Sequence, residues 1–232
     1  MNADYDTLWD SCWGEMQTIG PVHRHVSRII VEMVRPLSIR SVLDAGCGNG
    51  INLRALQKHL GITDVVGIDI SPNALELARR HLQGEFRVMN VEREVLARRF
   101  DLVLSSQVIE HLKDDDAFLR NLRAMCDGYC LIGTMQGRMR PSEVRVGHLR
   151  NYTRPGLEKK MRHAGFAIER VVEWGFPFYS PLYRSAIEHI GGQTAKIGYG
   201  KKQRFIAWVL YQLYRLNSSH RGDVLMILGK VK

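Results

Sequence analysis

Short apolar runs alternate with amphipathic segments from about residue 41 onward. Most of the runs are apolar over their whole length, as strands covered on both faces should be. The helical spacing between them predicts crossover helices, and therefore parallel strands. Five runs are predicted as strands in this part of the chain: SVLDAG (41–46), VVGIDI (65–70), FRVMNV (86–91), FDLVLSS (100–106) and YCLIGTM (129–135).

Three helices are predicted between these strands. The first follows Asn49 and places leucines every three or four residues on one face. The second begins at Ser71 and Pro72, a preferred N-cap residue followed by a proline in the first helical position. The acidic run 114–116 begins the third, because negative charge is favourable at the N-terminus of a helix.

Further elements are predicted on either side of this segment. An amphipathic helix over 22–33 precedes it. A helix over 155–163 and a strand over 166–174 follow it, and 222–231 forms the last strand. The stretch between the last two strands holds two more helices, near 181–190 and near 202–216.

The pattern predicts an α/β fold with a Rossmann-like open twisted sheet, mostly parallel with an antiparallel last strand, and helices on both faces. We predict three parts. Residues 1–37 form an N-terminal helical cap, 38–175 and 222–232 form the main domain, and 176–221 form a helical insertion.

Composition narrows the class of protein. The chain has 232 residues, of which 45% are hydrophobic, enough for one main domain with a sizeable core. Its first residues lack the cationic and apolar regions of an export signal, and no apolar run reaches the roughly 18 residues of a spanning helix. The cysteines follow no metal-ligand spacing; they are Cys12, Cys47, Cys126 and Cys130. We expect a cytoplasmic protein with free thiols.

The charge balance is basic. The formal net charge is +9, which suits nucleic acid, an anionic membrane surface or an anionic substrate. Residues 138–162 contain eight basic and two acidic residues. Two interpretations of this basic stretch stay open, a binding patch and a solvated surface.

A glycine-rich turn follows the first predicted strand and opens a helix, reading VLDAGCGNG over 42–50. Glycines there let the backbone turn tightly and approach a ligand closely at the switch point of an open sheet. Asp44 disfavours a pyrophosphate but suits a ligand that carries an ammonium and a sulfonium. Asp69 ends the next strand, where a carboxylate can accept hydrogen bonds from both hydroxyls of a ribose.

With these motifs the sequence resembles the class I S-adenosylmethionine-dependent methyltransferases, in particular the small-molecule branch of the ubiquinone and menaquinone biosynthesis methyltransferases. The resemblance covers roughly residues 38–170. It implies S-adenosyl-L-methionine as cofactor and S-adenosyl-L-homocysteine as product. Methyl transfer to an oxygen, nitrogen or carbon of the acceptor is then an in-line SN2 displacement, which needs neither a metal nor a covalent intermediate.

The resemblance also implies which residues hold the methyl donor. The glycine loop binds the methionine portion, Asp69 holds the ribose and Ile70 packs on the adenine. The family usually has an aspartate after the third strand, where this chain has Asn90, whose side-chain oxygen can still accept one hydrogen bond. The expected cofactor-binding residues are Asp44, Gly46, Cys47, Gly48, Gly50, Asp69, Ile70, Asn90, Val91, Ser106 and Gln107.

The segment after the fourth strand, SSQVIEHL over 105–112, is similar to the family's loop where donor and acceptor meet. His111 is a candidate catalytic base for a hydroxyl acceptor, because imidazole titrates near neutral pH. The favoured alternative is that Glu110 and His111 only fix the loop through hydrogen bonds.

A second loop, GHLRNYTR over 147–154, resembles the family's segment that borders the acceptor. His148 is therefore a second catalytic candidate. Arg150 and Tyr152 are candidates to orient the acceptor, and Thr153 is read as a helix N-cap. Structural and substrate roles are evenly matched for His148 and Arg150.

Two segments outside the motifs have more than one interpretation. Tyr5, Trp9 and Trp13 recur every four residues, so a first helix either packs on the protein or covers the donor pocket as a lid. Residues 202–216 combine aromatic and basic side chains. Packing against protein, as an acceptor lid or a homodimer contact, is favoured because apolar residues cover much of the circumference, and peripheral membrane contact is the alternative.

The prediction is a methyltransferase that acts on a small molecule with an anionic or lipophilic portion. An RNA methyltransferase is the first alternative, although the sequence shows no RNA-binding module and no aromatic-stacking motif. A subunit that binds the cofactor without turnover is the second.

Overall fold

The computed structural model describes residues 14–189 and 200–232. Their strands are β1 (Ser41–Ala45), β2 (Asp64–Asp69), β3 (Glu85–Val88), β4 (Phe100–Ser106), β5 (Cys126–Met135), β6 (Phe166–Trp174) and β7 (Val224–Val231). They form one sheet in the order β3-β2-β1-β4-β5-β7-β6. Six of these strands run in one direction and β7 runs antiparallel to them, which confirms the predicted fold class.

Nine α-helices surround the sheet in the part of the chain that is described. They are α1 (Gly14–Ile19), α2 (Pro21–Val34), α3 (Ile51–Leu60), α4 (Pro72–His81), α5 (Asp115–Ala124), α6 (Pro141–Arg145), α7 (Arg154–His163), α8 (Arg184–His189) and α9 (Lys201–Tyr214). A 3-10 turn spans Ile109–His111 and a π-helical turn spans Phe178–Tyr183. The caps predicted at Ser71 and Thr153 accept hydrogen bonds from Ala74 N and Gly156 N.

Two apolar cores lie on opposite faces of the sheet. On one face, Ile30 of α2 and Leu56 of α3 are fully buried together with Tyr214 of α9. On the other face, Phe118 of α5 and Met161 of α7 are fully buried. Because both faces are covered, the strands are apolar along most of their length.

Most of the described elements match the sequence-based prediction, and the differences lie at a few ends and in short helices. β3 stops at Val88, three residues short of the predicted run, because the backbone turns at Asn90, whose carbonyl accepts hydrogen bonds from Arg93 N and Glu94 N. Helix α6 was not predicted. Its N-terminus is held by Glu143, whose side chain accepts a hydrogen bond from Arg140 N, and five residues are too few to give a helical periodicity.

The insertion helix α9 packs on the protein with one face only. Ala207 and Tyr214 are buried, and His25 Nε2 of α2 lies 2.9 Å from the carbonyl of Tyr211. On the opposite face, the exposed fractions are 65% for Phe205 and 53% for Trp208. About half of the circumference of α9 is therefore packed against the protein.

The aromatic residues Tyr5, Trp9 and Trp13, with the lid predicted from them, lie outside the described residues. Helix α2 belongs to the main core, since Ile30 and Met33 are fully buried in it. No described helix has the length and apolar character needed to cross a membrane.

Candidate active site

The glycine loop between β1 and α3 is held in left-handed backbone conformations. The φ angles are +80° at Gly46, +53° at Gly48 and +74° at Gly50, a region that favours glycine. A Cβ atom on Gly46 would lie 2.2 Å from Cγ2 of Val108, so a larger residue at position 46 would clash with the Val108 side chain. The loop thus brings bare backbone to the carboxyl ends of β1 and β4, where open α/β sheets bind ligands.

Asp44 is a buried carboxylate that the described residues leave unsatisfied. It is 0% exposed, and neither carboxylate oxygen has a hydrogen-bond partner among them. Burial, with a smaller effect of Asp69, raises the pKa of Asp44 to about 8. A buried carboxylate of this kind is stabilised by a cationic ligand, and the implied cofactor carries an ammonium and a sulfonium.

Asp69 at the end of β2 holds the glycine loop from the other side. Its Oδ2 accepts a hydrogen bond from Gly48 N (2.8 Å), and its Oδ1 accepts one from Ser71 N (2.9 Å). Each carboxylate oxygen has a second lone pair, so these bonds are compatible with the predicted ribose contact. Ile70 next to it is 50% exposed, which leaves an apolar surface for the predicted adenine contact.

The turn after β3 provides the next predicted contacts. Asn90 Oδ1 accepts a hydrogen bond from Glu92 N (3.0 Å), so the side-chain oxygen is already used once. Val91 is buried, and its carbonyl accepts a hydrogen bond from Asn121 Nδ2 (2.8 Å). Asn90 keeps one acceptor position for an adenine amino group, as the prediction requires.

Gln107 follows β4 in a strained backbone conformation. Its φ of +61° is the only positive one at a non-glycine position among the described residues. Its backbone N donates to the carbonyl of Gly133 (2.8 Å), while its buried side-chain Nε2 has no partner there. Such strain clusters at functional sites, and the unsatisfied amide supports the predicted cofactor contact. The neighbouring Ser106 ends β4 and lies against Gly133.

Cys47 serves the loop as a small buried side chain. It is 4% exposed, and its Sγ lies 3.6 Å from the carbonyl of Gly48. Burial raises the pKa of the thiol well above its ordinary value, so the thiol is neutral and unreactive.

Glu110 and His111, on the 3-10 turn after β4, lie close to His148. The rings of the two histidines lie 4.6 Å apart, and one nitrogen or oxygen atom of each of the three side chains lies within 4.8 Å of the others. Thr134 Oγ1 donates to Glu110 Oε2 (2.9 Å). Burial lowers the pKa of His111 to about 4, which makes it a weak base at neutral pH.

Tyr152 and Arg150 both bind Asp115. The Tyr152 hydroxyl is buried and donates to Asp115 Oδ2 (2.7 Å). Arg150 Nη1 lies 3.1 Å from the same oxygen. The acceptor role predicted for Tyr152 is therefore wrong, since its only polar group is used inside the protein.

Most of the basic stretch 138–162 is paired with acidic side chains. Arg140 pairs with Glu188 (3.1 Å), and Arg154 pairs with Glu158 (2.8 Å). Lys160 and Arg162 are paired in the same way. The stretch thus acts mainly within the protein, which removes one argument for an RNA-binding patch.

Sequence reasoning missed the ion-pair network under the second loop. Arg184 of α8 is 8% exposed and contacts both Glu143 of α6 and Asp223. Glu143 Oε2 also accepts a hydrogen bond from Asn151 Nδ2 (3.0 Å). No local pattern marks these residues, because the partners lie about 40 positions apart in the chain.

A family model described as a methyltransferase domain matches residues 22–171, which include the glycine loop and the loops 105–112 and 147–154. The chain belongs to this methyltransferase-domain family. The family assignment confirms the superfamily resemblance and the methyltransferase class, and with them S-adenosylmethionine as the methyl donor.

Curated relatives of this methyltransferase domain include ubiquinone biosynthesis O-methyltransferases. The protein of that name from Coxiella burnetii is 29% identical over 131 residues, 53% of this chain and 55% of the relative. The one from Methylobacterium nodulans is 38% identical over 91 residues, 37% of this chain and 36% of the relative. The chain therefore matches about half the length of the first of these relatives, and less of the second.

Solved structures share the fold at low sequence identity. A Haloferax volcanii protein described as a methyltransferase candidate, in complex with the Trm112 methyltransferase activator, has a TM-score of 0.66 at 16% identity and covers 94% of each chain. Phosphoethanolamine N-methyltransferase 2 from Haemonchus contortus, with S-adenosylhomocysteine bound, has a TM-score of 0.61 at 21% identity, covering 89% of this chain and 52% of that one.

Proposed function

We propose that this methyltransferase domain transfers the methyl group of S-adenosylmethionine to a hydroxyl oxygen of a lipophilic small molecule. The observation that carries the donor assignment is Asp44, a fully buried carboxylate without a partner among the described residues, beside a loop of three left-handed glycines. The name shared by the curated relatives, ubiquinone biosynthesis O-methyltransferase, supports the choice of oxygen and of a lipophilic acceptor.

In this proposal the protein contributes position and charge. Asp44 and Asp69 bind the cationic donor and its ribose, and Gln107 fixes the donor from the end of β4. The acceptor oxygen attacks the methyl carbon in line with the carbon–sulfur bond. The sulfur keeps the electron pair of the broken bond, and the acceptor hydroxyl releases its proton to solvent water. Alignment of this kind contributes up to about 7 to 11 kcal/mol in favourable cases.

The exposed face of α9 supports a second part of the proposal, that the domain binds the surface of an anionic membrane. Four large apolar residues of α9 are exposed by 42% to 65%; they are Phe205, Ile206, Trp208 and Val209. The rings of Phe205 and Trp208 stack with their centroids 6.1 Å apart. Isolated exposed apolar residues are common, but a contiguous group on one helix marks an interaction surface.

The positive charge of α9 favours an anionic membrane, and not a second copy of the chain, as the partner of its exposed face. Lys201, Lys202 and Arg204 stand in the first turn of α9, and the helix contains no acidic residue. Two copies of this helix would bring like charges together, whereas anionic lipids attract each basic residue by about 1 kcal/mol. Aromatic and basic residues on one exposed face are typical of helices that lie in the membrane interface.

An acceptor screen with the labelled donor tests the proposed reaction. We expect labelled methyl groups on lipophilic phenols or catechols, and none on bulk RNA. Asp69→Ala should weaken donor binding by at least about 1 to 3 kcal/mol, measured by calorimetry, because hydrogen bonds to the ribose are lost. Asp64→Ala is the matched control, since Asp64 is exposed at the other end of the same strand, where it pairs with Arg98.

Three outcomes of the calorimetry and of the acceptor screen contradict the proposal. Unchanged donor affinity in Asp69→Ala contradicts the donor site. Methylation of RNA with a steep loss of affinity at higher salt favours an RNA methyltransferase. Tight donor binding without turnover on any acceptor favours a subunit that only binds the cofactor.

Vesicle sedimentation tests the membrane contact. We expect the full chain to sediment with phosphatidylglycerol-containing vesicles and to remain in solution with pure phosphatidylcholine. Phe205→Ser combined with Trp208→Ser should abolish sedimentation, and Val95→Ser, which changes an exposed apolar residue outside α9, should not. A chain that forms dimers through α9 in analytical ultracentrifugation, and ignores vesicles, overturns this part of the proposal.

A further inference from the structure

A cleft of about 680 Å³ opens at the edge of the sheet where β5 and β6 end and β7 begins. It lies on the same edge as the proposed donor site, because β5 pairs in parallel with β4. Pockets that bind small molecules have volumes of about 300 to 1,000 Å³. The cleft is therefore large enough for part of an acceptor whose reacting hydroxyl lies beside the methyl donor.

Five acids and arginines among the described residues line the cleft, and four of them are paired within the protein. Glu173 lies 3.2 Å from Arg154. Asp223 and Arg140 are paired in the same way with residues beside the cleft. The charges of these four side chains are thus balanced before any ligand binds. The five are Arg140, Arg154, Glu173, Arg221 and Asp223.

Arg221 is the charge that is left over. Its guanidinium carbon lies 4.1 Å from the centre of the Phe176 ring, and its carbonyl accepts a hydrogen bond from Phe176 N (3.1 Å). Residues 14–189 and 200–232 offer this guanidinium no acidic partner. A guanidinium that stacks on a ring uses only its face, so the N–H donors at its edge stay free for a ligand.

The backbone that carries Arg221 is held tightly against the end of β6. Gly222 has a φ of +153°, and a Cβ atom there would lie 2.2 Å from the carbonyl group of Trp174. The carbonyl of Gly222 also accepts a hydrogen bond from Gln136 Nε2 (2.7 Å). Because the arginine is already positioned, it loses little conformational freedom when it binds a ligand.

We infer that the cleft binds a carboxylate group of the acceptor, and that Arg221 forms a bidentate ion pair with this group. The two parallel N–H donors of an arginine match the two oxygens of a carboxylate. One unpaired positive charge suits a group with a single negative charge better than a phosphate dianion. The assignment of this carboxylate to the acceptor rests on the proposed function.

The position of the cleft also limits the shape of the acceptor. In the sheet order, β7 is the second strand from β4, and adjacent strands are about 4.8 Å apart. Arg221 precedes β7 and therefore lies roughly 10 Å along the edge from the end of β4. The acceptor must carry its carboxylate at a distance from the reacting hydroxyl, as 3,4-dihydroxycinnamate does.

Two matched probes test the cleft with the full chain and the labelled donor. They are 3,4-dihydroxycinnamate and 3,4-dihydroxycinnamamide, which differ in the charge of the distal group. We expect the KM of the carboxylate to be at least about 10-fold lower than that of the amide, at similar kcat. Arg221→Gln should reduce this preference at least about 10-fold, and Arg221→Lys should retain part of it. Arg120→Gln, which changes an exposed arginine on α5, is the matched control.

Calorimetry with S-adenosylhomocysteine present measures binding of the probes without turnover, and circular dichroism shows that the variants are folded. The inference is overturned if the carboxylate binds no more tightly than the amide, or if Arg221→Gln and Arg120→Gln lose the preference equally. A carboxylate that binds without displacing the amide is a separate ligand, which overturns its assignment to the acceptor.

The cleft and the proposed function fail in different ways. Methylation of neutral phenols without a preference for the carboxylate contradicts the cleft assignment alone. Carboxylate binding that depends on Arg221, without methylation of any acceptor, supports the carboxylate site and contradicts the proposed function.

Discussion

The proposed donor side of the active site is built from residues close together in the sequence, whereas the proposed acceptor side joins residues from distant loops. On the donor side, Asp44 and the glycines that follow it lie within one strand–loop–helix unit. On the acceptor side, Arg184 connects α8 to Glu143 of α6 and to Asp223 before β7.

This difference separates two sources of stability. The donor side depends on backbone conformations that only glycine adopts easily and on the buried carboxylate of Asp44, which a cationic ligand stabilises. The acceptor side depends on buried charges that satisfy each other across long loops. We therefore expect donor-side variants to affect cofactor binding most, and acceptor-side variants to affect folding most.

Arg184→Ala should cause the largest loss of stability, about 3 to 5 kcal/mol in the free energy of unfolding, because it leaves Glu143 as a buried charge without its partner. Urea denaturation measures it. Arg138→Ala is the control, since the Arg138 side chain is 84% exposed and lies 3.9 Å from Glu188. Equal losses in both variants would show that the network does not stabilise the acceptor side.

Gly46→Ala should cost about 2 to 4 kcal/mol, because a Cβ there meets Val108 and the residue has a positive φ. Donor affinity should fall with it, measured by calorimetry. Gly61→Ala separates the two causes: its φ is +70°, but its Cβ would meet nothing within 4 Å. We expect about 1 kcal/mol for Gly61→Ala and unchanged donor affinity.

Asp44→Asn should change the pH dependence of stability. The pKa of Asp44 is raised from 3.8 to about 8, so between these values the folded, donor-free chain keeps a proton that the unfolded chain has released. Its stability therefore falls as pH rises through this window, by at most about 1.4 kcal/mol per pH unit.

Asp44→Asn removes this dependence, so the variant should gain on the order of 2 kcal/mol over the wild type between pH 5 and pH 8. Donor binding should weaken in the same variant. Urea denaturation at both pH values and calorimetry measure the two effects. A difference in stability that is independent of pH would contradict the assignment of the titration to Asp44.

Phe205→Ser combined with Trp208→Ser should have the smallest effect on folding, within about 0.5 kcal/mol, because both side chains are exposed. Tyr214→Ala on the buried face of the same helix should cost about 3 to 5 kcal/mol. Thermal unfolding compares them. A large loss in the double variant would mean that the exposed face of α9 is needed for the fold.

The sequence by itself determined the strands, most helices, the glycine loop and the methyltransferase assignment. These features depend on short-range patterns: apolar runs, helix caps such as Ser71, and the backbone freedom of Gly46 and Gly50. Each of these features is determined by neighbouring residues, so it can be predicted from a single sequence.

Only the tertiary structure decided which side chains meet. It placed the Tyr152 hydroxyl on Asp115, exposed one face of α9, and brought His148 to Glu110 and His111. Contacts of this kind join residues tens of positions apart, and their geometry depends on how whole elements pack on the sheet. A local pattern contains no information on such distances, which is why the acceptor side could not be predicted as well as the donor side.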